Sequence, residues 1–394
     1  MLKVRLKTYQ SGYGDCIFFI IDGDEGRYVV MIDCGFFSDE IKCFVTQTLN
    51  CHIDLLIITH IDEDHVLGVR DMLESIPELE IKDFWFNSYR RPVGDEVSLT
   101  ENEKVVLERI FATRPVVIDM IGGKISAPQA VTLSDAILKH ASAKNAWGRK
   151  QIDRDCDEYK IKEGRYGKLI VLTPRKQELD VIDEKFKRVF FEFFHKEHPD
   201  VPLKNDYSIF EMLQFLANKQ EYLEGHESEK VSAQEINDVF LIEAANHKVL
   251  KSSDTNEASI AIVWEKGDDR ILFTGDASPK ILADELKDYY GEKAIMLKAV
   301  KVSHHGSAHG TSKKLLELVD ATDFFFTGGE EDKRPHIDTI ARIITRPLAE
   351  GIEKRILHFN YQNNWTDKLK KDTGLQEKYH FAIDIENNDI SYDI

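Results

Sequence analysis

The chain has 394 residues, 42% of them hydrophobic and 31% charged, so it can bury a sizeable core and is not globally disordered. Its formal net charge of −18 excludes a broad, nonspecific polyanion-binding surface, although metal ions could still supply local positive charge to a phosphate substrate. No apolar run reaches the roughly 18 residues of a membrane span, and the alternating start Met1 to Lys7 lacks the apolar core of a signal peptide, so a soluble chain with no membrane partner is expected.

Strands are predicted at Val4 to Tyr9, Cys16 to Ile21 and Arg27 to Ile32, with a turn at Gly12 to Asp15. Ser38 is placed to cap a helix running to Leu49. The β-branched run Ile53 to Thr59 reads as a buried strand, followed by a helix from Val66 to Ile76 and a strand from Ile81 to Phe86. Further on, Glu101 to Thr113 and Ala136 to Ala146 have helical spacing, Val116 to Met120 reads as a strand, and Lys168 to Pro174 as a strand stopped by its proline. Residues 176–250 form a charged, helix-rich insertion. Its Phe186, Phe190, Phe193 and Phe194 lie on one helical face and read as a packed stripe.

From residue 255 strand patterns return, at Ala258 to Trp264, Arg270 to Phe273, Ala299 to Val302, Asp323 to Thr327 and Arg355 to Phe359. Helices are expected at Ser278 to Tyr290 and Thr311 to Val319. The whole, 1–394, reads as a single domain of sheets covered by helices, with 176–250 inserted in it. The five cysteines, Cys16, Cys34, Cys43, Cys51 and Cys156, show no Cys-x-x-Cys pairing and read as free thiols in a reducing cytoplasm.

The most informative segment is His60-Ile61-Asp62-Glu63-Asp64-His65, at the end of the Ile53 to Thr59 strand. Imidazole nitrogens and carboxylate oxygens at that spacing suit zinc, and the carboxylate share also suits manganese. The competing reading is that Asp62, Glu63 and Asp64 only stabilise the positive end of the following helix. Other strands also end in chemistry-bearing turns, at Asp33-Cys34-Gly35, Thr274-Gly275-Asp276 and Ser303-His304-His305-Gly306-Ser307. Ligands gather at such strand ends in α/β proteins. His52, His140, His195, His198, His226, His247, His358 and His380 lack a partner pattern and read as packing or surface residues.

Taken in chain order, these motifs resemble those of the metallo-β-lactamase-fold hydrolases. They are most similar to the soluble hydrolase domain of ComEC-type DNA-uptake proteins. The pieces are Gly12-Tyr13-Gly14-Asp15-Cys16, Ile32-Asp33-Cys34-Gly35, Thr59 to Gly68, Asn256 to Ile260, Phe273-Thr274-Gly275-Asp276 and Val302 to Ser307. The resemblance implies a four-layer αββα sandwich with two divalent metal ions, zinc or manganese, at one edge. It implies His60 and Asp62 on one ion, Asp64 and His65 on the other, Asp276 bridging, and His304 completing the second site. Asp33 would support the site by hydrogen bonds. Residue order after the strand favours His304 over His305 as the ligand. Asn256 stands where many relatives have a histidine, and the closing Gly-His-Pro is represented by Arg334-Pro335-His336.

The chemistry expected of such a centre is attack by a metal-activated hydroxide on phosphorus or an acyl carbon. Asp64 or Asp276 would orient it, and His305, His309 or His336 would protonate the leaving group. The leading expectation is a metal-dependent phosphodiesterase or nuclease, with a phosphoester or nucleic acid as substrate and no protein partner assigned. The alternatives are hydrolysis of a small ester, lactone, thioester or β-lactam, and a non-catalytic binding or regulatory protein. If Arg149, Lys150, Arg154, Lys160, Lys162, Arg165 and Lys168 line a groove to the metals, a nucleic-acid strand could track it. Otherwise they are scattered solubilising charge.

Overall fold

The computed structural model describes residues 2–88, 133–148, 151–190, 235–329, 334–385 and 388–394. The elements expected at Glu101 to Thr113 and Val116 to Met120, and the insertion from 191 to 234, lie outside the described residues.

Among the described residues the strands form two sheets. In chain order the first five are β1 (Lys3–Thr8), β2 (Ile17–Gly23), β3 (Gly26–Ile32), β4 (His52–Ile58) and β5 (Glu80–Phe86). Next come β6 (Ile161–Gly164), β7 (Gly167–Thr173), β8 (Ala261–Lys266), β9 (Asp269–Phe273) and β10 (Ile295–Lys301). The last are β11 (Val319–Phe326), β12 (Arg355–Phe359), β13 (Phe381–Asp384) and β14 (Asp389–Asp393). One sheet has the order β14-β1-β2-β3-β4-β5, the other β13-β12-β11-β10-β9-β8-β7-β6. Each sheet combines an antiparallel meander with a parallel part. The parallel pairs are β3–β4–β5 in the first sheet and β9–β10–β11–β12–β13 in the second. Parallel strands share a direction, so the turns that follow them gather at one edge of each sheet.

Alternation of side chains along each strand builds the layers. Ile17, Phe19 and Ile21 of β2 meet Ile262 and Trp264 of β8 and Ile271 and Phe273 of β9 between the sheets. The alternate residues of β2, Phe18 and Ile20, pack outward in a second cluster with Val69, Met72 and Leu73 of the helix Glu63–Ser75. On the far face Val263 and Leu272 join Leu282 and Leu286 of the helix Pro279–Tyr290, and Ile340 and Ile344 of the helix Ile337–Ile344. Helices, sheet, sheet, helices: the fold is the αββα sandwich of the metallo-β-lactamase type.

The strands predicted within the described residues recur with shifted ends, and the differences have local causes. Ser38 caps as expected, accepting from Ile41 N at 3.2 Å, but the helix Asp39–Cys43 loosens into a π turn over Phe44–Thr48. The stretch from Ala136 to Ala146 is two helices, Leu133–Lys139 and Ala141–Ala146, because His140 Nδ1 accepts from Ala143 N and starts the second. The helix after the metal-ligand motif begins at Glu63, not Val66. Short polar β6 and the C-terminal strands β13 and β14 escaped the pattern. Of the 176–250 segment, Lys176–Phe190 and Asp238–Asn246 are helical, and the latter packs on Ile337–Ile344.

At the opposite edge of the second sheet from the strand-end turns, Asp320 of β11 is enclosed by two guanidinium groups. Arg355 Nε and Nη2 donate to its two oxygens at 3.0 and 2.6 Å, and Arg346 Nη2 donates at 2.5 Å. The backbone of Ala321 and Ala349 completes the shell. Burial alone would raise the Asp320 pKa, but these partners outweigh it and hold it below the usual value. A depressed carboxylate contributes stability that is present above its unfolded pKa of about 4 and lost as pH falls through the folded value. Asp320→Asn should therefore destabilise the protein by about 3–5 kcal/mol at neutral pH. Chemical denaturation as a function of pH should also show a flatter acid limb for the variant than for the native chain.

Candidate metal centre

The turns that close the site leave both sheets at one edge and are stitched together by backbone bonds. Ile260 N donates to Thr59 O at 2.8 Å, Gly35 N to Asp15 O at 3.0 Å, and Gly329 N to Gly12 O at 3.3 Å. The fit is close enough to require glycine. A Cβ on Gly14 would stand 1.5 Å from Asp64 O, and one on Gly328, whose φ is +73°, would stand 2.3 Å from Tyr13 O. Asp33, His304 and His305 also adopt left-handed φ of 56°, 52° and 52°. Such a conformation costs a non-glycine residue on the order of 1–3 kcal/mol and persists only where its surroundings impose it.

Two carboxylate–imidazole pairs sit at the centre. Asp33 Oδ2 lies 2.7 Å from His65 Nδ1, while Thr59 donates to the same carboxylate through its backbone N and its hydroxyl, both at 2.7 Å. Asp15 Oδ1 lies 3.0 Å from His305 Nδ1 and accepts from Thr327 Oγ1 at 2.5 Å. In both pairs Nδ1 faces an acceptor, which leaves Nε2 to point inward. His65 Nε2 is 3.5 Å from Asp276 Oδ2 and 3.7 Å from Asp64 Oδ1. His305 Nε2 is 3.4 Å from Asp276 Oδ2 and 3.2 Å from Asp64 Oδ2. His60 completes a buried trio, its Nε2 lying 3.4 Å from Asp62 Oδ2.

The Nε2 atoms of His60, His65 and His305 are buried and, among the described residues, have no hydrogen-bond partner. An unsatisfied buried polar atom costs about 1–3 kcal/mol, so three converging ones call for an explanation. A metal ion would supply it. The groups His60–His65–Asp276 and Asp64–His65–His305 each bring their donor atoms within 4.8 Å of one another, as do Asp15–Asp276–His305 and Asp15–Asp33–His65. Imidazole and carboxylate in these proportions fit zinc or manganese.

Asp62 bears on the competing, purely helical reading of the motif. It occupies the capping position of Glu63–Ser75 yet makes no capping bond; its carboxylate faces His60 and Thr255 Oγ1 instead. Asp64 and His65 belong to the first helical turn, so the helix itself aims them at Asp276.

The tandem histidines separate. His305 is fully buried at the centre, whereas the His304 side chain is 25% exposed at the rim, its Nε2 3.8 Å from Asp276 Oδ2. The Asn256 amide lies 3.4 Å from His304 Nδ1. His336 caps the helix Ile337–Ile344, its Nδ1 accepting from Asp338 N, and its backbone N donates to Gly306 O at 2.9 Å beside the His304–Gly306 turn. His309 Nδ1 accepts from Leu250 N. Structural partners account for His140, His247 and His358, which face Ile76 O, Asp338 and Asp323 respectively.

Lys301 carries no motif, yet it is central. Its side chain is 2% exposed, with Nζ 2.5 Å from Asp15 Oδ2, 2.8 Å from Gly275 O and 3.5 Å from Asp276 Oδ1. It holds one oxygen of Asp276 and leaves the other, Oδ2, to the imidazoles. The readable signal was a lysine following the buried Ala299 and Val300 at the end of a strand. Thr59 and Ser259, which lie within the sequence motifs, and Thr327, which no motif marked, are further supports; the Ser259 hydroxyl accepts from Asp276 N at 3.1 Å.

The electrostatics follow from the crowding of carboxylates. Burial would lower the pKa of His65 and His305, but Asp64, Asp276 and Asp33 raise that of His65, and Asp276 and Asp15 push His305 up to about 10. Burial would raise Asp64 and Asp276, but the facing imidazoles hold both well below the usual range. The same negative potential that retains protons on the imidazoles attracts divalent cations.

The family model of the metallo-beta-lactamase superfamily matches residues 12–82. That stretch holds the Gly12–Asp15 turn, Asp33 and the whole His60–His65 motif, and the match supports the superfamily, whose domain implies a metal-dependent hydrolase. Asp276, Lys301 and His305 lie beyond it and are brought to the site by the fold. No curated protein matches the chain.

Metal linkage gives a direct test. Zinc or manganese at about 100 times its dissociation constant should raise stability by about 2.7 kcal/mol, seen as an increase in Tm that a chelator reverses. His305→Ala should abolish more of that shift than His304→Ala. Separately, Lys301→Met leaves Asp15 and Asp276 without their ammonium and should destabilise the metal-free protein by about 3–5 kcal/mol in denaturant titrations.

Proposed function

We propose that the chain is a hydrolase with a dinuclear metal centre, acting most readily on phosphodiesters, including those of nucleic acids. The observation that carries this reading is the convergence of the buried, unsatisfied Nε2 atoms of His60, His65 and His305 on Asp276 and Asp64. In this reading Asp64, His65, His305 and Asp276 Oδ2 hold the inner ion, and His60, Asp62 and Asp276 hold the outer, with His304 at its rim. This assignment uses both tandem histidines. The likeness of the motifs to ComEC-type hydrolases supports phosphodiester chemistry. A cytoplasmic site of action fits the free thiols.

When bound, the ions supply Lewis acidity, lowering the pKa of water near neutrality and polarising the phosphoryl group. The chain's own groups do the rest. Asp33 and Asp15 orient His65 and His305; Lys301 fixes Asp276; Asp64 and Asp276 can accept a proton from the attacking water. His304 and His336, on adjoining turns, are placed to meet the leaving group. Tyr13 and Phe36, 50% and 58% exposed on the turns that hold the centre, offer ring faces on which a base can stack.

One finding favours a short substrate over a long strand. Among the described basic residues that a groove would need, Arg154 pairs with Glu285 and Asp288, Lys162 with Asp83, Arg165 with Glu25 and Lys168 with Glu265. Arg149 and Lys150 lie outside the described residues, as does the Lys160 side chain. The hairpin β6–β7 that carries Lys162 to Lys168 meets Glu25 and Tyr28 at the β2–β3 turn, at the opposite end of those strands from Asp15 and Asp33. A small phosphoester, lactone, thioester or β-lactam is therefore the second reading.

Metal-loaded protein and an Asp64→Ala/His65→Ala variant should be incubated with single- and double-stranded nucleic acid, a chromogenic phosphodiester, a lactone and a β-lactam. Manganese- or zinc-dependent cleavage of phosphodiesters, reduced at least about a thousandfold in the variant, is the expected result. Cleavage of the lactone or β-lactam alone would favour the second reading, and no turnover by metal-bound protein would leave a binding role.

A further inference from the structure

The rim of the centre carries a cation that the hydrolytic reading leaves unused. Arg334 directly precedes Pro335, which packs on the His304–Gly306 turn: a Cβ on Gly306 would lie 2.8 Å from Pro335 Cβ. The stretch is pinned from both sides, with His336 N donating to Gly306 O at 2.9 Å and Asn363 Nδ2 donating to Pro335 O at 3.1 Å. Arg334 is half-buried, and no carboxylate among the described residues lies within ion-pair distance of its guanidinium. Its place next to Pro335, which lies against the His304–Gly306 turn, puts its charge at the rim of the site.

In so acidic a chain such an arginine stands out. Arg154, Arg165, Arg175, Arg270, Arg346 and Arg355 each face a carboxylate. A guanidinium keeps its charge across the physiological pH range and presents a planar fork of donors that matches the oxygens of a phosphate. It cannot serve as the proton donor for a leaving group, so its chemistry at this position is to hold an anion.

We infer that Arg334 binds a second phosphate of the substrate, next to the phosphodiester that lies at the metal centre. This rests on the hydrolase reading and narrows it: the substrate class becomes a nucleotide or short oligonucleotide with at least two phosphates, rather than an isolated diester. The held backbone that follows Arg334, at Pro335 and His336, limits where its guanidinium can reach, so the residue selects for the position of the second anion as well as for its charge.

The test uses two chromogenic esters of thymidine that share a p-nitrophenyl phosphodiester and differ by a second phosphate on the other sugar hydroxyl. It also uses thymidine bisphosphate as an unhydrolysed ligand. With the metal-loaded chain, kcat/KM should favour the doubly phosphorylated ester by about tenfold, the lower end expected for a charge-assisted contact. Arg334→Gln should bring that ratio close to one, and Arg334→Lys should restore part of it. Calorimetry should show thymidine bisphosphate binding about tenfold more weakly to Arg334→Gln, with a smaller dependence on salt. Equal binding of the bisphosphate by the native chain and Arg334→Gln, or an unchanged ester preference, would overturn the inference. Arg334-dependent binding of the bisphosphate without turnover of either ester would sustain it and sink the hydrolase reading instead.

Discussion

The structure depends on how two imidazole rings are held. Asp33 and Asp15 each take the Nδ1 side of a histidine, at 2.7 Å for His65 and 3.0 Å for His305, and so decide which nitrogen faces the interior. Neither aspartate belongs to the element that carries its histidine. Asp33 follows β3 and Asp15 precedes β2, while His305 comes from the second sheet. The pairs therefore act as clasps between elements. The left-handed backbone at Asp33, His304 and His305 is the strain accepted to keep them closed.

Charge sets the second constraint. Asp15, Asp33, Asp62, Asp64 and Asp276 crowd into one partly or wholly buried volume, and the buried ammonium that faces them is Lys301. Their negative potential raises the pKa of both His65 and His305, and it favours divalent cations at the same place. Buried uncompensated charge is among the most destabilising features a fold can carry. The donor set and the potential thus point the same way, to the binding of cations. Lys301 also holds Asp276 Oδ1, leaving Oδ2 as the inward oxygen that would face a bound cation.

Much of this was legible in the residues. The near-continuous apolar runs of β2, β4, β8 and β9 made both sheets legible, because residues buried on both faces leave a strong signal. The His60–His65 motif was legible because its spacing is itself the geometry: a strand end followed by one helical turn. What escaped has a common cause. The helix start at Glu63 was hidden because its first turn is filled with metal-binding and acidic residues rather than apolar ones. The separation of His304 from His305 was illegible because a left-handed turn, not a helix or strand period, sets their directions. Lys301 had no spacing partner to set it apart from Lys298 of the same strand; its meaning lies in Asp15, nearly three hundred residues away along the chain and 2.5 Å away in space.

The central claim is that the strand-end turns cage two divalent ions. Crystals of the full chain grown with manganese or zinc, with anomalous diffraction recorded at the metal edge, test it most directly. The account predicts two peaks sharing Asp276 Oδ2, one bonded to His65 Nε2, His305 Nε2 and Asp64, the other to His60 Nε2 and Asp62. Folded protein that shows no anomalous density among these side chains, or binds its metal elsewhere, would contradict it.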